Sequence, residues 1–557
     1  MRHFLTGILT VLDRKERVKL FLLIFCDIII SALDIVFLGL TVLVVNFYIQ
    51  NAGLSYLSFL PHQLTDKNSI LLITIFFILF GIKNIFAYFL SASKYNFIYN
   101  VASRLSERNI RQYLRSGYLE YVNVDSSAHI RKISQQPIEF STYILTNFQQ
   151  IISQSVLVLF AISAVLLYHV TLFVLLFLLL MPAVVALGWL MKRRLKQVRS
   201  NIKKTSEHTL KNLREALAGY TESNIYDKED FFADRYSTQQ KMMNHNICVQ
   251  QTLQELPSRL IEVFTIFGFF VLVVLNKWSA HNTSIDLLTI GIFLAAAYKI
   301  IPGVVKILNS AGQMKTYEFT IQDLSISNNG EGPAPGRQSA ENLESIRLEK
   351  IHFRYNGQPL LEGLSFEMQP GDFTGISGNS GRGKTTLINI LLGFIEQQEG
   401  MVCINDKILP ANERKHYWNR ISYIKQQTFL IHDTILKNIA LTDGDYDAGK
   451  LNEVKDFCGL DIILDQYPEG WNGIITENGK NLSGGQRQRL MLARALYHGF
   501  DLLILDEPFG EMDQASENAI LEKLQLLAAT DKMILFITHN KQSLSWCNKI
   551  VSFDEQG

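Results

Sequence analysis

A glycine-rich stretch of the sequence has the residues and the spacing to bind phosphate groups. Residues 378–385 read GNSGRGKT, which fits the pattern G-x-x-x-x-G-K-[ST], and they lie between a strand pattern and an amphipathic helix pattern. The glycines let backbone N–H groups approach phosphates, Lys384 is placed to reach the β- and γ-phosphates, and Thr385 is placed to ligate Mg²⁺. We therefore expect a nucleotide site formed by Gly378, Asn379, Ser380, Gly381, Gly383, Lys384, Thr385 and Thr386.

Acidic residues that suit phosphate hydrolysis follow further along the chain. The stretch DLLILDEP, residues 501–508, has the pattern of a buried strand that ends in two carboxylates. Asp506 is placed to hold Mg²⁺, and Glu507 is placed to polarise a water that attacks the γ-phosphate. Another buried-strand pattern, ILFITHN, ends in His539. A lone histidine after a strand is usually structural, but after this carboxylate pair we expect a γ-phosphate contact.

A second anion-binding stretch, NLSGGQRQR at residues 481–489, has the pattern of a turn that leads into a helix. Backbone N–H groups at a helix N-terminus attract anions. In one arrangement the domain folds around its own nucleotide. In the other, two domains face head to tail and each lends Ser483, Gly484 and Gly485 to the other's nucleotide, which gives two equivalent sites under two-fold symmetry. We favour the second arrangement, in which bound ATP holds two domains together and hydrolysis releases them.

The first half of the chain is far more apolar than the second. Of the 557 residues, 48% are hydrophobic and 19% are charged. A membrane-spanning helix needs about 20 mostly apolar residues, and six stretches qualify: 20–48, 69–92, 147–168, 171–191, 257–276 and 286–308. We therefore predict a transmembrane domain at 1–325, a Gly- and Pro-rich linker at 326–343 and a soluble α/β domain at 344–557.

Charge and cysteine content exclude other classes of site and partner. The formal net charge of +1 does not indicate a nucleic-acid partner, and the five cysteines form no CxxC pair that would indicate a zinc site or a disulfide framework. The first apolar run is too long for the core of a cleavable signal peptide, so we interpret it as a retained span.

Basic residues predict the orientation of the spans. They cluster near the spans in two long loops, 93–146 and 192–256, which also have helical patterns. Because Lys and Arg are retained on the cytoplasmic side, we expect both loops, the N-terminus and the C-terminal domain in the cytoplasm. The loops would form helical arms, and their turns, YVNVDSSAHI and GYTESNIYDKEDFF, are the predicted docking segments.

Four charged residues lie inside the predicted spans: Asp27, Asp34, Lys83 and Lys299. Asp27 and Asp34 are seven residues apart and hence on one helical face. A charged group in a span costs about 3 kcal/mol on insertion scales, so such groups face protein or water. Either these residues line a cavity for the head group of a substrate, or they form interhelical ion pairs or snorkel to the interface.

Together the motifs resemble those of ABC transporters, and the chain is similar to an exporter-type half-transporter with one membrane domain fused to one ATPase domain. The resemblance is very specific in 344–557 and looser in 1–325. It implies that Tyr355 stacks on adenine and that GNSGRGKT is the Walker A motif. It also implies that Gln426 is the Q-loop glutamine, which joins Thr385 and Asp506 around Mg²⁺ and contacts the membrane domain.

The same resemblance assigns the remaining motifs. It implies that LSGGQ, with Ser483, Gly484, Gly485 and Gln486, is the family signature. It makes Asp506 the Walker B aspartate, Glu507 the catalytic carboxylate, Asp513 the D-loop aspartate and His539 the switch histidine. Glu477, in TENG, resembles a loop typical of exporters that reads the cytoplasmic arms.

The resemblance implies ATP and Mg²⁺ as cofactors and a homodimer in a bacterial inner membrane; a heterodimer with a degenerate partner is the alternative. There are three departures from the usual pattern. Lys425 stands where a proline is common, DEPFGEMD replaces DEATSALD, and the chain stops at VSFDEQG, so that a last strand and helix appear missing or short. The second departure changes contacts between Glu507 and Asp513, which bears on communication between the two ATP sites.

The membrane half indicates the kind of substrate. Its first and sixth predicted spans, with Asp34 and Lys299, resemble bacterial exporters that flip lipid-linked oligosaccharides. We expect ATP-driven export or flipping of an amphiphile by alternating access, with lipid-linked oligosaccharides or lipids favoured. A peptide or drug-like amphiphile is the alternative, and an ATP-gated channel is a further one. No peptidase domain precedes the first span, so we do not expect removal of a leader peptide, and the predicted spans exclude a soluble ATPase acting on DNA or ribosomes.

Overall fold

A computed structural model describes residues 2–49, 70–168, 170–278, 287–326, 341–355, 357–379 and 381–553. The chain divides into two compact units. The N-terminal unit comprises Met1–Ser116 and Val122–Gly332, and the C-terminal unit comprises Gly117–Tyr121 and Pro333–Gly557. The predicted linker, 326–343, lies almost entirely outside the described residues.

The N-terminal unit is built from helices, several of which are very long. In chain order, the helices up to residue 326 are α1 (Arg2–Val11), α2 (Arg14–Ile49), α3 (Leu71–Arg115), α4 (Tyr118–Asn123), α5 (Ser126–Ile130), α6 (Gln136–Glu139), α7 (Thr146–Tyr168), α8 (Val170–Ala218), α9 (Tyr220–Ile225), α10 (Glu229–Trp278), α11 (Leu287–Thr316) and α12 (Glu318–Ile326). Most of α4 lies in the segment that clusters with the C-terminal unit. With 49 and 50 residues, α8 and α10 are each about 75 Å long. This is more than twice the hydrocarbon thickness of a bilayer, about 30 Å.

Three helical stretches among the described residues are long and apolar enough to cross a membrane: Arg14–Thr41, Leu71–Arg115 and Ser126–Leu166. They overlap the first three predicted spans. The other three predicted spans fall in α8, α10 and α11, where many side chains lie outside the described residues.

The helical path from α5 to α7 contains two π-helical turns, Arg131–Gln135 and Phe140–Leu145. Such turns are rare and usually single. The second lies in the core of the unit, where the ring of Tyr143 stacks on that of Tyr317 with 3.9 Å between the centroids. This contact packs the path against the short segment between α11 and α12.

A buried charged cluster joins the same path to α8 and α12. The guanidinium group of Arg131 is fully buried, lies 3.0 Å from Oε2 of Glu139 and covers the ring of Phe319 at 5.1 Å. On α12, Asp323 pairs with Lys203 of α8 at 2.7 Å. Ionic contacts therefore hold α12 to both arms of the N-terminal unit.

The C-terminal unit contains a four-stranded antiparallel sheet of order β2-β1-β4-β5, a five-stranded parallel sheet of order β11-β3-β10-β9-β6, and a small β7-β8 pair. The strands are β1 (Ile346–Tyr355), β2 (Gln358–Met368), β3 (Phe373–Ser377), β4 (Glu399–Ile404), β5 (Lys407–Ile408), β6 (Ile421–Ile424), β7 (Asp433–Thr434), β8 (Ile474–Ile475), β9 (Leu502–Asp506), β10 (Met533–Ile537) and β11 (Lys549–Ser552).

The helices of this unit are α13 (Lys384–Leu391), α14 (Ala411–Arg414), α15 (Ile435–Ala440), α16 (Ala448–Cys458), α17 (Asp461–Leu464), α18 (Gly484–His498), α19 (Gln514–Ala528) and α20 (Lys541–Leu544). Every residue of β9 and β10 is buried, as is typical of parallel strands covered on both faces. Since β3, β9 and β10 are parallel neighbours, their carboxyl ends meet at one edge of the sheet. That edge carries the predicted nucleotide site.

The segment Gly117–Tyr121 clusters with the C-terminal unit. The ring of Tyr118 stacks on that of Phe394 with 5.0 Å between the centroids, and Nδ2 of Asn389 donates to its hydroxyl at 3.4 Å. The first predicted docking segment, 121–130, overlaps this stretch only at Tyr121. The second, 219–232, contains α9 and belongs to the N-terminal unit.

Candidate functional site: a nucleotide site at the sheet edge

The phosphate-binding loop connects the end of β3 to the start of α13. Gly383 precedes α13 with a left-handed φ of 93°, and a Cβ there would lie 3.0 Å from both Leu360 and Leu361. Both its conformation and its tight packing therefore favour glycine. Gly378, Asn379, Gly381 and Thr386 belong to the same loop and helix start, whereas Ser380 lies outside the described residues.

Lys384 is buried and turns its ammonium group back over the loop. Its Nζ donates to the carbonyl of Gly378 at 2.7 Å and lies 2.9 Å from Nε2 of His539 and 3.9 Å from Oε1 of Glu507. The sheet edge therefore brings the lysine, the histidine and the carboxylate into one contact network, although 155 residues separate Lys384 from His539.

Asp506 lies at the end of β9 with its side chain buried. Its Oδ2 accepts hydrogen bonds from the hydroxyls of Thr385 and Tyr423, both at 3.4 Å. Burial, and then the charge of Glu507, raise the pKa of the Asp506 carboxyl. A hydroxyl and a carboxylate placed together supply the oxygen ligands that Mg²⁺ prefers, so the residues present fit a Mg²⁺ ion.

Glu507 is held by contacts on both sides. Nε2 of Gln426 donates to its Oε2 at 2.7 Å, and Nε2 of His539 lies 2.7 Å from its Oε1. With its proton on Nε2, His539 donates to Glu507; the other tautomer instead accepts from Lys384 at that nitrogen. Glu507 also has a left-handed φ of 50°, a strained conformation that is common at functional sites.

The signature stretch forms the start of α18. Oγ of Ser483 accepts from the N–H of Gln486 at 3.3 Å, and Oε1 of Gln486 accepts from the N–H of Ser483 at 2.9 Å, so the two residues form a capping box. Gly484 and Gly485 are the first two residues of this helix. Among the hydrogen bonds and ion pairs of the described residues, none joins this stretch to the phosphate-binding loop.

Three other predicted residues lie at the surface of the C-terminal unit. The ring of Tyr355 is 63% exposed, as a nucleotide-stacking residue needs to be. Glu477 is exposed and lies 3.9 Å from Lys480. Asp513 caps α19 by accepting from the N–H of Ser516 at 2.9 Å, and hydrogen bonding to Ser516 lowers the pKa of the Asp513 carboxyl.

Comparison with known proteins agrees with the resemblance to ABC transporters that the sequence motifs indicate. The family model described as ABC transporter matches residues 361–510. A probable ABC transporter ATP-binding/permease protein of Haemophilus influenzae is 30% identical over 214 residues, which are 38% of this chain and 39% of that protein. An ATP-dependent lipid A-core flippase of Xanthomonas campestris pv. campestris is 27% identical over 415 residues, which are 72% of this chain and 69% of the flippase. The chain is therefore similar to ABC transporters, over residues 361–510 in the family model and over a longer stretch in the flippase.

The fold of the chain matches that of a solved exporter. A bacterial Atm1-family ABC exporter with ATP bound superposes with a TM-score of 0.77, over 98% of this chain and 94% of that chain. At 15% identity the likeness concerns the fold alone. The predicted architecture, an N-terminal helical membrane domain fused to a C-terminal α/β ATPase domain, is confirmed.

Charged residues of the first two predicted spans are paired. Nζ of Lys83 lies 2.5 Å from Oδ1 of Asp34, and Nζ of Lys94 lies 2.9 Å from Oδ2 of Asp27. Of the two interpretations left open by the sequence, these contacts favour interhelical ion pairs. The side chain of Lys299 lies outside the described residues.

A polar cavity of about 450 Å³ lies elsewhere in the N-terminal unit, between α3, α7 and α11. Its lining includes Tyr95 and Tyr99 of α3, Asn147 of α7, and Lys306 and Asn309 of α11. Lys306 is the one charged residue among the described residues that line it. This cavity was not predicted from the sequence, because the residues that line it are ordinary polar residues at the ends of three predicted spans.

Hydrogen bonds fix the amide groups on one wall of this cavity. Nδ2 of Asn147 donates to Oε1 of Gln313 at 2.8 Å, and Nε2 of Gln313 donates to Oε1 of Gln254 at 3.0 Å. Nδ2 of Asn309 donates to the backbone carbonyl of Gln254 at 2.8 Å. The network joins α7, α10 and α11, so the wall is a built polar surface.

Proposed function

We propose that the chain is an ABC transporter that couples ATP hydrolysis to the export or flipping of an amphiphile across a bacterial inner membrane. The observation that carries the proposal is the position of Glu507, which contacts Gln426 and His539 at the edge where Lys384 and Asp506 also lie. These are the groups that phosphate hydrolysis needs, and the same chain has helices long and apolar enough to cross a membrane.

In the proposed mechanism Glu507 accepts a proton from the water that attacks the γ-phosphate, and His539 stabilises charge on that phosphate. Lys384 holds the β- and γ-phosphates, and the exposed ring of Tyr355 stacks on adenine. ATP binding must therefore replace the contacts that Lys384, His539 and Glu507 make with one another. The arrangement of the catalytic groups would therefore depend on whether nucleotide is bound.

Thr385, Asp506 and Gln426 are the residues that would hold Mg²⁺. The bound ion would neutralise charge on the phosphate oxygens during transfer. The raised pKa of the Asp506 carboxyl reflects its burial and the nearby Glu507 charge, and a neighbouring divalent cation would reverse this effect by favouring the ionised form.

The proposed assembly is a homodimer in which each signature stretch completes the ATP site of the other copy. A full set of catalytic residues in one chain supports two competent sites; a heterodimer with a degenerate partner is the alternative. ATP closes the ATPase domains, the arms transmit the closure, and the membrane domains open outward. The ATPase domains and the arms would face the cytoplasm, as the basic residues of the loops predict.

The proposed substrate is an amphiphile with a hydroxylated head group, and lipid-linked oligosaccharides or lipids are favoured. The polar cavity supports this, because its tyrosine and amide groups suit a glycan and Lys306 suits a single phosphate. It lies at the predicted cytoplasmic ends of the second, third and sixth spans, the depth at which a lipid head group sits. The relative named as a lipid A-core flippase supports a lipid, and a peptide or drug-like amphiphile is the alternative.

Proteoliposomes test the proposal. ATP should drive translocation of a labelled lipid-linked oligosaccharide by the purified protein, and the matched Glu507→Gln protein should bind ATP without translocation. Intact ATPase activity without movement of this probe would refute the favoured substrate and point to the peptide or drug-like class. ATP-dependent conductance without translocation would support a channel instead.

A further inference from the structure

Glu511 places a carboxylate against the start of the signature helix α18, within the C-terminal unit. It lies in the turn between β9 and α19, and its Oε2 accepts a hydrogen bond from Nη2 of Arg487 at 3.0 Å. A Cβ built on Gly484 would overlap the same oxygen, so the carboxylate fills the space beside the first residue of the helix. The N–H of Glu511 also donates to Oε1 of Gln488 at 3.2 Å, which holds the turn against the helix.

The position of the Glu511 carboxylate matters because a helix N-terminus attracts negative charge through its unpaired N–H groups and its dipole. In the proposed homodimer, Ser483 and Gly484 are the residues that face the γ-phosphate of ATP bound to the other copy. The carboxylate of Glu511 has the same sign as that phosphate and lies beside the same helix start. The negative charge of Glu511 would therefore oppose the approach of that phosphate.

The side chain of Glu511 can change its conformation, as the proposed movement requires. It is 56% exposed and forms a surface ion pair with Arg487. Such a pair contributes little to stability, so the carboxylate can rotate into solvent without disturbing the core. The usual DEATSALD pattern has alanine where DEPFGEMD has Glu511, which indicates that hydrolysis does not require a carboxylate here.

We propose that Glu511 is a gate on the composite ATP site: its carboxylate lies beside Gly484 at the start of the signature helix and must move away before a second copy's nucleotide can close the site. The gate rests on the proposed function, because it acts on ATP held by another copy of this chain. Its effect is to raise the ATP concentration needed for closure, while the hydrolytic step, which uses Glu507, is unaffected.

Steady-state ATPase activity of the full chain in lipid nanodiscs tests the gate. Glu511→Gln keeps the shape and removes the charge, and Glu511→Ala removes the group altogether. The control is Glu522→Gln, which makes the same charge change at an exposed position of α19. One like charge about 4 Å from a phosphate weakens its binding on the order of fivefold in water. Both Glu511 variants should therefore lower the half-saturating ATP concentration about fivefold, with kcat changed less than about twofold, and the control should match the wild type.

Ionic strength separates a charge effect from a structural one. The difference between the wild type and Glu511→Gln should shrink as salt rises from about 50 mM to about 500 mM, because exposed charges are then screened. ATP-dependent closure of the Glu507→Gln protein, followed by crosslinking between copies, should show the same shift when Glu511→Gln is added. A change that is insensitive to salt would assign Glu511 a structural role and overturn the gate.

An unchanged or raised half-saturating ATP concentration in both Glu511 variants would also overturn the proposed gate. The ATPase activity of the wild type would still support the proposed function. A wild-type chain that neither hydrolyses ATP nor closes with it would refute both. Retention of the Glu511→Gln effect in an Arg487→Gln background would show that the carboxylate acts on the nucleotide; loss of the effect would show that it acts only through its ion pair, and would refute the gate.

Discussion

The ion pair between Asp34 and Lys83 predicts a specific pattern of stability changes. The two side chains are 25% and 7% exposed, and Nζ of Lys83 also lies 4.7 Å from the centre of the Phe80 ring. Removal of one partner of a buried pair typically costs about 3–5 kcal/mol, because the other charge is left without compensation. The aromatic contact would recover about 1 kcal/mol of this. We therefore expect Asp34→Asn to lower the free energy of unfolding by about 2–4 kcal/mol.

Removal of both charges should recover most of that loss. Asp34→Asn combined with Lys83→Met leaves no unpaired charge and keeps the side-chain volumes, so the double variant should lie within about 1 kcal/mol of the wild type. Lys83→Met alone also leaves a charge unpaired and completes the cycle, so the coupling free energy should be at least about 2 kcal/mol, well above the scatter expected for independent sites. As a control, Glu107→Gln combined with Arg111→Gln removes an exposed pair on the same helix and should change stability by less than about 0.5 kcal/mol.

An SDS titration in mixed micelles, followed by tryptophan fluorescence, measures these differences, and ATPase activity is recorded on the same samples. The reasoning would be refuted by a double variant as unstable as Asp34→Asn, since the pair would then not explain the loss. A stable Asp34→Asn protein that has lost lipid-stimulated ATPase activity would instead restore the head-group interpretation of Asp34.

Three further outcomes follow from the nucleotide site. Glu507→Gln should retain ATP binding and lose at least about 100-fold in kcat, since it removes the base that accepts the water's proton; single-turnover phosphate release measures this, and near wild-type turnover would make the assignment wrong. Lys384→Ala should raise the Kd for ATP by about tenfold or more, measured with a fluorescent nucleotide, since it removes a cation from the phosphates. Asp506→Asn should abolish Mg²⁺-dependent hydrolysis and raise the Tm of the nucleotide-free protein near pH 7. The pKa of the Asp506 carboxyl is raised in the folded chain. At pH values just above the ordinary pKa of an aspartate, the folded state therefore binds more protons than the unfolded state. The free energy of unfolding thus falls as the pH rises through this range. The gain from Asp506→Asn should therefore diminish as the pH falls, and a gain that grew toward acid would contradict the assigned cause.

The nucleotide site could be predicted from sequence because each of its parts is contiguous. The loop from Gly378 to Thr385, the strand end at Asp506 and the capped start of α18 are each encoded within about ten residues, and parallel strands bring such ends to one sheet edge. The network that joins Lys384, Glu507 and His539 follows from that rule. These contacts need no knowledge of the distant packing of helices.

The membrane half was less predictable, since its polar contacts depend on how separate helices pack. The pair of Asp27 with Lys94 joins residues 67 positions apart, and the sequence placed Lys94 in a cytoplasmic loop. The polar cavity combines three helix faces, none of which carries a motif. Glu511 was visible as a departure from a pattern, but only its packing against Gly484 shows which surface it occupies.

The two π-helical turns of the first arm give this region an unusual response to insertions and deletions. Each accommodates one residue more than an α-helical turn, so the helix faces before Arg131 and after Leu145 do not share a single 3.6-residue phase. Deletion of one residue within a π turn can be absorbed by its conversion into α-helix, which leaves the flanking faces aligned. The same deletion in the ordinary helix beyond it would rotate all later side chains by about 100°. In this arm the π turns are therefore the places where chain length can change while the direction of the third predicted span is kept.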